Sequence, residues 1–230
     1  MARVVTAEYA RLVASFATGR PNQARWILRP ARTRGNIGLL PGSFNPPTNA
    51  HVALARSGHA SGMDHVVYVL SNNTVNKADV TGIPLTDRLR LLADIARADG
   101  DGVIFTNRGL YVEIAEDVRP LIDGEPTFLV GHDKIVQILD PKYYVARPAA
   151  LDELFQRARI AVAPRNEATA ADVVTLMAMP ANRRFAERIT TLALARPYRS
   201  MSSTNVRAGV ESPVPPNVAA YLARKKPFAN

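Results

Sequence analysis

The sequence predicts an α/β fold, a doubly wound and mainly parallel sheet with helices on both faces. Three observations lead there. Short apolar, often β-branched runs occur at 36–41, 65–71, 102–106, 126–131, 159–163 and 188–194, each of strand length. Between them lie longer stretches whose apolar residues recur at helical spacing, and strands alternating with helices imply a parallel sheet covered on both faces. The chain has 230 residues, of which 47% are hydrophobic, enough to bury one sizeable core. Right-handed crossovers are expected for such units.

In chain order, Val5, Tyr9, Leu12, Val13 and Phe16 mark a leading helix over 5–17. The next stretch, "TGRPNQARWILRPARTRGN", reads as an irregular basic link in which Trp26 anchors the arm by packing. The expected organisation is an N-terminal helical and basic appendage, 1–34, and one domain, 35–230. In that domain the strand at 36–41 leads into a helix at 49–60. The strand at 65–71 is followed by a helix at 85–98, and that at 102–106 by one at 110–122. Helices at 133–139 and 149–157 follow the strand at 126–131, and one at 169–178 follows that at 159–163. The run 188–194 leads to helices at 203–210 and 216–224. In open sheets of this Rossmann-like kind, ligands bind beyond the carboxyl ends of the strands, so the residues just after each strand are the informative ones.

Composition narrows the function classes. There is no cysteine, which excludes disulfides, thiolate metal sites and a cysteine nucleophile. No apolar stretch reaches the roughly 18–20 residues of a membrane span, and Glu8, Tyr9 and Arg11 interrupt the apolar N-terminus where a secretory signal needs an unbroken run. The expected location is the cytoplasm. The formal charge is +9, and residues 1–34 carry seven arginines against one glutamate. Such clustering can bind nucleic acid. No aromatic interleaving, zinc-finger spacing or RNA-recognition signature accompanies it, so a nucleic-acid partner is not expected. Of the 29 basic residues, 24 are Arg, a bias that also fits a solvated arm. His59 and His65 have no spacing that makes a zinc site, and no P-loop, G-x-G-x-x-G or nucleophile-elbow sequence occurs.

Two stretches carry chemistry. In "GSFNPPTNAH" (42–51), Gly42 lets the chain leave the first strand tightly, and Pro46 and Pro47 stiffen the turn. Thr48 or Asn49 caps the next helix, placing His51 in its first turn, near unpaired N–H groups that favour phosphate. In "SMSSTNVRAGV" (200–210), Ser202, Ser203 and Thr204 place hydroxyls at a second helix start, with Arg207 one turn in. Either stretch alone is also what an ordinary capped turn looks like. Two phosphate-compatible helix starts on one sheet argue for a polyphosphate.

These stretches resemble the paired signatures of the HIGH-type nucleotidyltransferases, specifically the nicotinamide/nicotinate mononucleotide adenylyltransferases. The first motif matches GSFxPxTxxH. The second matches SSTxIR through Ser202, Ser203, Thr204, Asn205, Val206 and Arg207. Within "FLVGHDKIVQILDPKYY", Gly131, Asp133 and Pro141 coincide with the family's G-A-D…P-x-x-W, and Tyr144 stands where many relatives have a nicotinamide-stacking Trp. "NKADVTGIPLTDRLRLL" is similar to the substrate-loop Lys followed by I-P-x-x-x-R, giving Lys77, Ile83, Pro84 and Arg88. The resemblance covers about 36–228. The chain departs from the pattern at Ala50, at His132, at Asn205, and at Tyr143-Tyr144.

The resemblance implies adenylyl transfer from ATP to nicotinamide or nicotinate mononucleotide in NAD synthesis, with Mg²⁺ accompanying ATP and pyrophosphate leaving. It implies catalytic roles for His51, Thr48, Arg207 and Lys77. ATP would be held by Gly42, Ser43, Phe44, Gly131, Asp133, Ser202, Ser203 and Thr204. The mononucleotide would be held by Asn45, Lys77, Arg88 and Tyr144. A homo-oligomer is compatible with the sequence. Two rival readings stand beside this one: the same chemistry with a different phosphate-bearing acceptor, and a nucleotide- or RNA-binding protein without turnover. Intact Thr48, His51 and Arg207 argue against the last.

Overall fold

A computed structural model describes residues 2–17, 24–71 and 82–228. Seven strands form one sheet in the order β1-β4-β3-β2-β5-β6-β7, with β1 Ala24–Leu28, β2 Ile37–Gly42, β3 His65–Ser71, β4 Gly102–Thr106, β5 Pro126–Gly131, β6 Arg159–Ala163 and β7 Ile189–Thr191. Every pairing is parallel except that of β1 with β4. The helices are α1 Ala2–Ala17, α2 Asn49–Ala60, α3 Leu85–Asp99, α4 Tyr111–Val118, α5 His132–Leu139, α6 Arg147–Arg157, α7 Ala170–Ala178, α8 Arg196–Arg199, α9 Ser203–Arg207 and α10 Pro216–Lys225.

The strand side chains alternate between two cores, as the pleat requires. Ile37, Leu39, Val67, Val69, Ile104, Phe128, Val130, Ile160 and Val162 face one core, closed by residues of α4 to α7 such as Ile114, Ile138, Leu154 and Val173. Leu40, Val66, Tyr68, Leu70, Val103, Phe105, Leu129 and Ala161 face the other, closed by residues of α1, α2, α3 and α10 such as Phe16, Ala55, Leu92 and Val218. A sheet buried on both faces leaves only its ends open, and that confines a ligand to the strand termini.

The N-terminal appendage expected from the sequence is not confirmed. Residues 24–28 are a strand rather than irregular link: Ala24 pairs with Thr106 and Trp26 with Ile104, antiparallel. Phe16 of α1 is buried and meets Phe105 with ring centroids 4.8 Å apart. The density of Arg and Pro around "ARWIL" hides a short edge strand, the one kind that tolerates charge along its open side. Other boundaries differ as well. The run 188–194 is a strand only over Ile189–Thr191. The second-motif helix stops at Arg207. The helix after β4 ends at Val118, passing into a 3₁₀ turn over Arg119–Leu121 at Pro120, which has no N–H to continue the ladder. Lys77 lies outside the described residues. Among those described, no helix is long and apolar enough to cross a membrane.

Candidate active site

From β2 the chain moves outward through β3 and β4, then returns to start β5 on the other side of β2. The connections leaving the two central strands therefore diverge at their carboxyl ends and open a crevice. A cavity of about 450 Å³ lies there. Residues at or just beyond the ends of five strands line it: Gly42 and Ser43, Ser71, Arg108, Gly131 and Asp133, and Arg165. His51, Tyr111, Tyr144, Tyr198 and Ser202 to Thr204 also stand on the polar wall, with Lys134, Gln137 and Tyr143.

The first turn is built to fix His51. Gly42 is required because a Cβ there would meet the Phe44 ring at 2.9 Å. Phe44, at φ 45°, is fully buried and sets its ring edge-on against the imidazole, 5.0 Å between centroids. Thr48 caps α2 in extended geometry, and His51 Nδ1 accepts from the Thr48 backbone N–H at 3.0 Å. Thr48 Oγ1 lies 2.9 Å from the same nitrogen. This is a capping box with imidazole in the place usually held by Glu or Gln. A nitrogen that accepts from an amide carries no hydrogen, so in the neutral ring the hydrogen sits on Nε2. Thr48 is wholly buried and lies behind His51 rather than on the cavity wall.

The second motif grips the first. The Asn45–Pro46 and Pro46–Pro47 peptide groups have carbonyls but no N–H, and their oxygens need outside donors. Arg207 Nη1 donates to Asn45 O at 2.6 Å, and Ser203 Oγ donates to Pro46 O at 2.7 Å. Arg207 Nη2 also donates to Thr204 Oγ1 at 3.1 Å. Ser202 caps α9, its hydroxyl accepting from Asn205 N–H at 3.0 Å. Ser202, Ser203 and Thr204 line the cavity, whereas Arg207 points at the turn.

Two residues expected at the mononucleotide do not line this cavity. Asn45 is 1% exposed, and its Oδ1 accepts from Ile83 N–H at 3.0 Å. That bond braces the turn against the stretch before α3, while Asn45 Nδ2 is buried without a hydrogen-bond partner among the described residues. Arg88 also lies off the cavity wall, its Nη1 donating to Ser43 O at 2.8 Å. Tyr144 does line the cavity, with its hydroxyl turned back to Ile138 O at 2.7 Å; burial pushes its ionisation up to about 12. His132 opens α5 without reaching the cavity wall. Gly131 precedes α5 and leaves room for Asp133, whose Oδ1 would lie 2.7 Å from an added Cβ. Burial, with the Asp133 carboxylate as the next contribution, pushes the Tyr111 phenol up as well.

Sequence reasoning missed Arg108, Tyr111, Arg165 and Tyr198. The strand-end rule it used would have found the first three, because Arg108 and Tyr111 follow the run 102–106 and Arg165 follows 159–163. Arg108 is neutralised by Asp117 at 3.3 Å and Glu113 at 3.6 Å. Arg165 meets only a carbonyl among the described residues, Met201 O at 2.6 Å, so its charge remains for the cavity.

The fold has known counterparts. The nicotinic acid mononucleotide adenylyltransferase of Plasmodium falciparum, solved with NaAD, superimposes with a TM-score of 0.59 over 84% of this chain and 97% of that one, at 14% identity. A provisionally assigned nicotinate-nucleotide adenylyltransferase from Vibrio parahaemolyticus matches at 17% identity over 82% and 99% of the two chains, with a TM-score of 0.37, too low to carry an argument. No curated protein matches the chain significantly by sequence. The sequence profile of the cytidylyltransferase-like family matches residues 39–209, a span that runs from the strand before the first motif to the end of the second. The chain belongs to the cytidylyltransferase-like family.

Proposed function

We propose that the protein transfers the adenylyl group of ATP to a pyridine mononucleotide, forming the dinucleotide and releasing pyrophosphate. The observation that carries this reading is His51, held through Nδ1 by the Thr48 amide so that its hydrogen is on Nε2, in a cavity whose polar groups are mostly hydroxyls, guanidinium groups, the Lys134 ammonium and backbone, set among apolar side chains. These polar groups are mostly donors, and they include no base-and-nucleophile pair. Acyl or glycosyl chemistry needs such a pair; phosphoryl transfer to a phosphate does not.

A mononucleotide phosphate is already ionised at neutral pH. Its oxygen attacks the α-phosphorus directly, and the bond to the bridging oxygen of the pyrophosphate breaks in line. Catalysis then consists of positioning and of donors aimed at the charge that develops. His51 Nε2–H donates to the α- or β-phosphate, with Thr48 and Phe44 holding the ring. Ser203, Thr204, Arg207 and Arg165 hold the outer phosphates, and Gly131 and Asp133 meet the ribose or adenine. Tyr111 and Tyr144 wall the acceptor side, and the family resemblance assigns Lys77, outside the described residues, to neutralising developing charge. Mg²⁺ enters with ATP. Among the described residues no cluster of three His, Asp or Glu could hold a metal, and Asp133 is the one carboxylate on the described cavity wall. That donor set suits a Mg²⁺ coordinated chiefly by phosphates and water. The fold likeness to the Plasmodium enzyme supports a pyridine mononucleotide as the acceptor.

The test is pyrophosphate release from ATP with nicotinamide mononucleotide and, separately, nicotinate mononucleotide, with the product identified by mass. Dinucleotide with either acceptor is the expected result and ranks the two. Bound ATP with neither acceptor consumed would overturn the acceptor, and a preference for CTP over ATP would overturn the adenylyl donor.

A further inference from the structure

Arg88 stands on the first turn of α3, beneath the turn that follows β2. Its Nη1 holds Ser43 O at 2.8 Å, while its Nε is buried without a hydrogen-bond partner among the described residues. Arg207 holds Asn45 O, two residues further along the same turn. Neither guanidinium meets a carboxylate among the described residues. The two hold carbonyls two residues apart on one turn, and burial first, with the Arg207 charge second, lowers the ionisation of Arg88 to about 10.

Partly buried charges are normally paired. Two cations on one turn, with no counter-ion among the described residues, form a site that an anion would complete. The two differ in freedom. Arg88 sits on a helix of 15 residues, with Leu89, Leu91 and Leu92 packed into the core. Arg207 ends a helix of five and touches Thr204, which lines the cavity. An anion that reaches Thr204 is within the reach of Arg207, whereas Arg88 stays behind Ser43.

We propose that Arg88 is a positioning residue for the polyphosphate: it holds Ser43 in place and, by repulsion, favours transfer of the Arg207 guanidinium from Asn45 O to a phosphate oxygen of the nucleotide. Arg88 thereby strengthens nucleotide binding without touching the nucleotide. The inference rests on the nucleotide-binding part of the proposed function and not on the identity of the acceptor.

The test is binding of Mg²⁺ with α,β-methylene-ATP, by calorimetry, to the wild type, Arg88→Gln, Arg88→Lys, Arg207→Gln and the Arg88→Gln/Arg207→Gln double variant. Coupling between charged neighbours of this kind predicts about a tenfold weaker affinity for Arg88→Gln. Arg88→Lys, which keeps the charge, is expected within about threefold of wild type, and Arg88→Gln to add less than about twofold once Arg207 is gone. The KM for ATP should rise with Arg88→Gln while that for the acceptor stays within about threefold. Thermal melting should show at most a small loss for Arg88→Gln, because removing a charge that meets no carboxylate among the described residues offsets the lost hydrogen bond to Ser43 O. An unchanged affinity in Arg88→Gln overturns the proposal. So does a tenfold loss that persists without Arg207, or a markedly lower melting point that Arg88→Lys shares, either of which makes Arg88 a structural residue. If the wild type forms no dinucleotide yet binds the analogue with this coupling, the acceptor reading fails and the role of Arg88 stands.

Discussion

At the start of α2, the residue one turn in is held by its own helix cap: His51 Nδ1 accepts from the Thr48 amide, and the ring stands on the cavity wall. At the start of α9, the residue one turn in reaches away from its helix, and Arg207 and Ser203 hold the carbonyls of the proline turn some 160 residues earlier. The two stretches look alike in sequence, each with hydroxyls at a helix start and a basic group a turn later. Their difference comes from the prolines. Asn45-Pro46-Pro47 supplies acceptors without donors, so one motif must supply the donors that the other lacks. One helix start presents chemistry; the other holds the first in shape and lends its hydroxyls to the ligand.

That contrast can be broken experimentally. The largest effect is expected for His51→Ala, which removes one preorganised donor and should lower kcat on the order of 10²–10³, with a smaller cost in stability, about 1 kcal/mol, from the Thr48 N–H that loses its cap partner. A loss of stability matching the loss of rate would place His51 with the holding residues. Ser203→Ala should do the reverse, leaving Pro46 O unpaired at a cost of about 1–3 kcal/mol in unfolding free energy and lowering the rate about tenfold as the turn loosens; denaturant melts and steady-state rates read the two separately. Thr48→Val keeps the amide that holds Nδ1 and removes only the hydroxyl, so its expected cost is about 1 kcal/mol, a severalfold fall in kcat. Phe16→Ala, at the far side of the sheet, should destabilise by about 3–5 kcal/mol and leave kcat unchanged below its melting range, showing that lost packing alone does not imitate the His51 effect.

Much of the fold was legible because the core strands are apolar and bounded by turn residues. The strands at 65–71, 102–106, 126–131 and 159–163 fall where those runs do. The edge strand at Ala24–Leu28 was not legible, since Arg25 within it and Arg29 just after it mask a pattern only five residues long. In the site, the positions of His51, Gly131, Asp133, Tyr144 and Ser202 to Thr204 on one cavity follow from their places after strands. What spacing cannot convey is the direction of a side chain. Asn45 and Arg88 have the residue types of ligand contacts, yet Ile83 N–H and Ser43 O, both distant in sequence, draw them to the back of the turn. Thr48 is a neighbour of His51 in either reading, and only the 2.9 Å approach to Nδ1 shows it acting on the ring.

The most direct test of the account is the protonation pattern of His51 itself. A long-range ¹H–¹⁵N spectrum of the protein with Mg²⁺ and α,β-methylene-ATP, with His51 identified among the four histidines by the signal lost in His51→Gln, reads both ring nitrogens. The account predicts hydrogen on Nε2 and a bare, hydrogen-bonded Nδ1. Hydrogen on Nδ1 would contradict it, because the Thr48 amide could then no longer hold the ring and His51 would not be the donor around which the site is built.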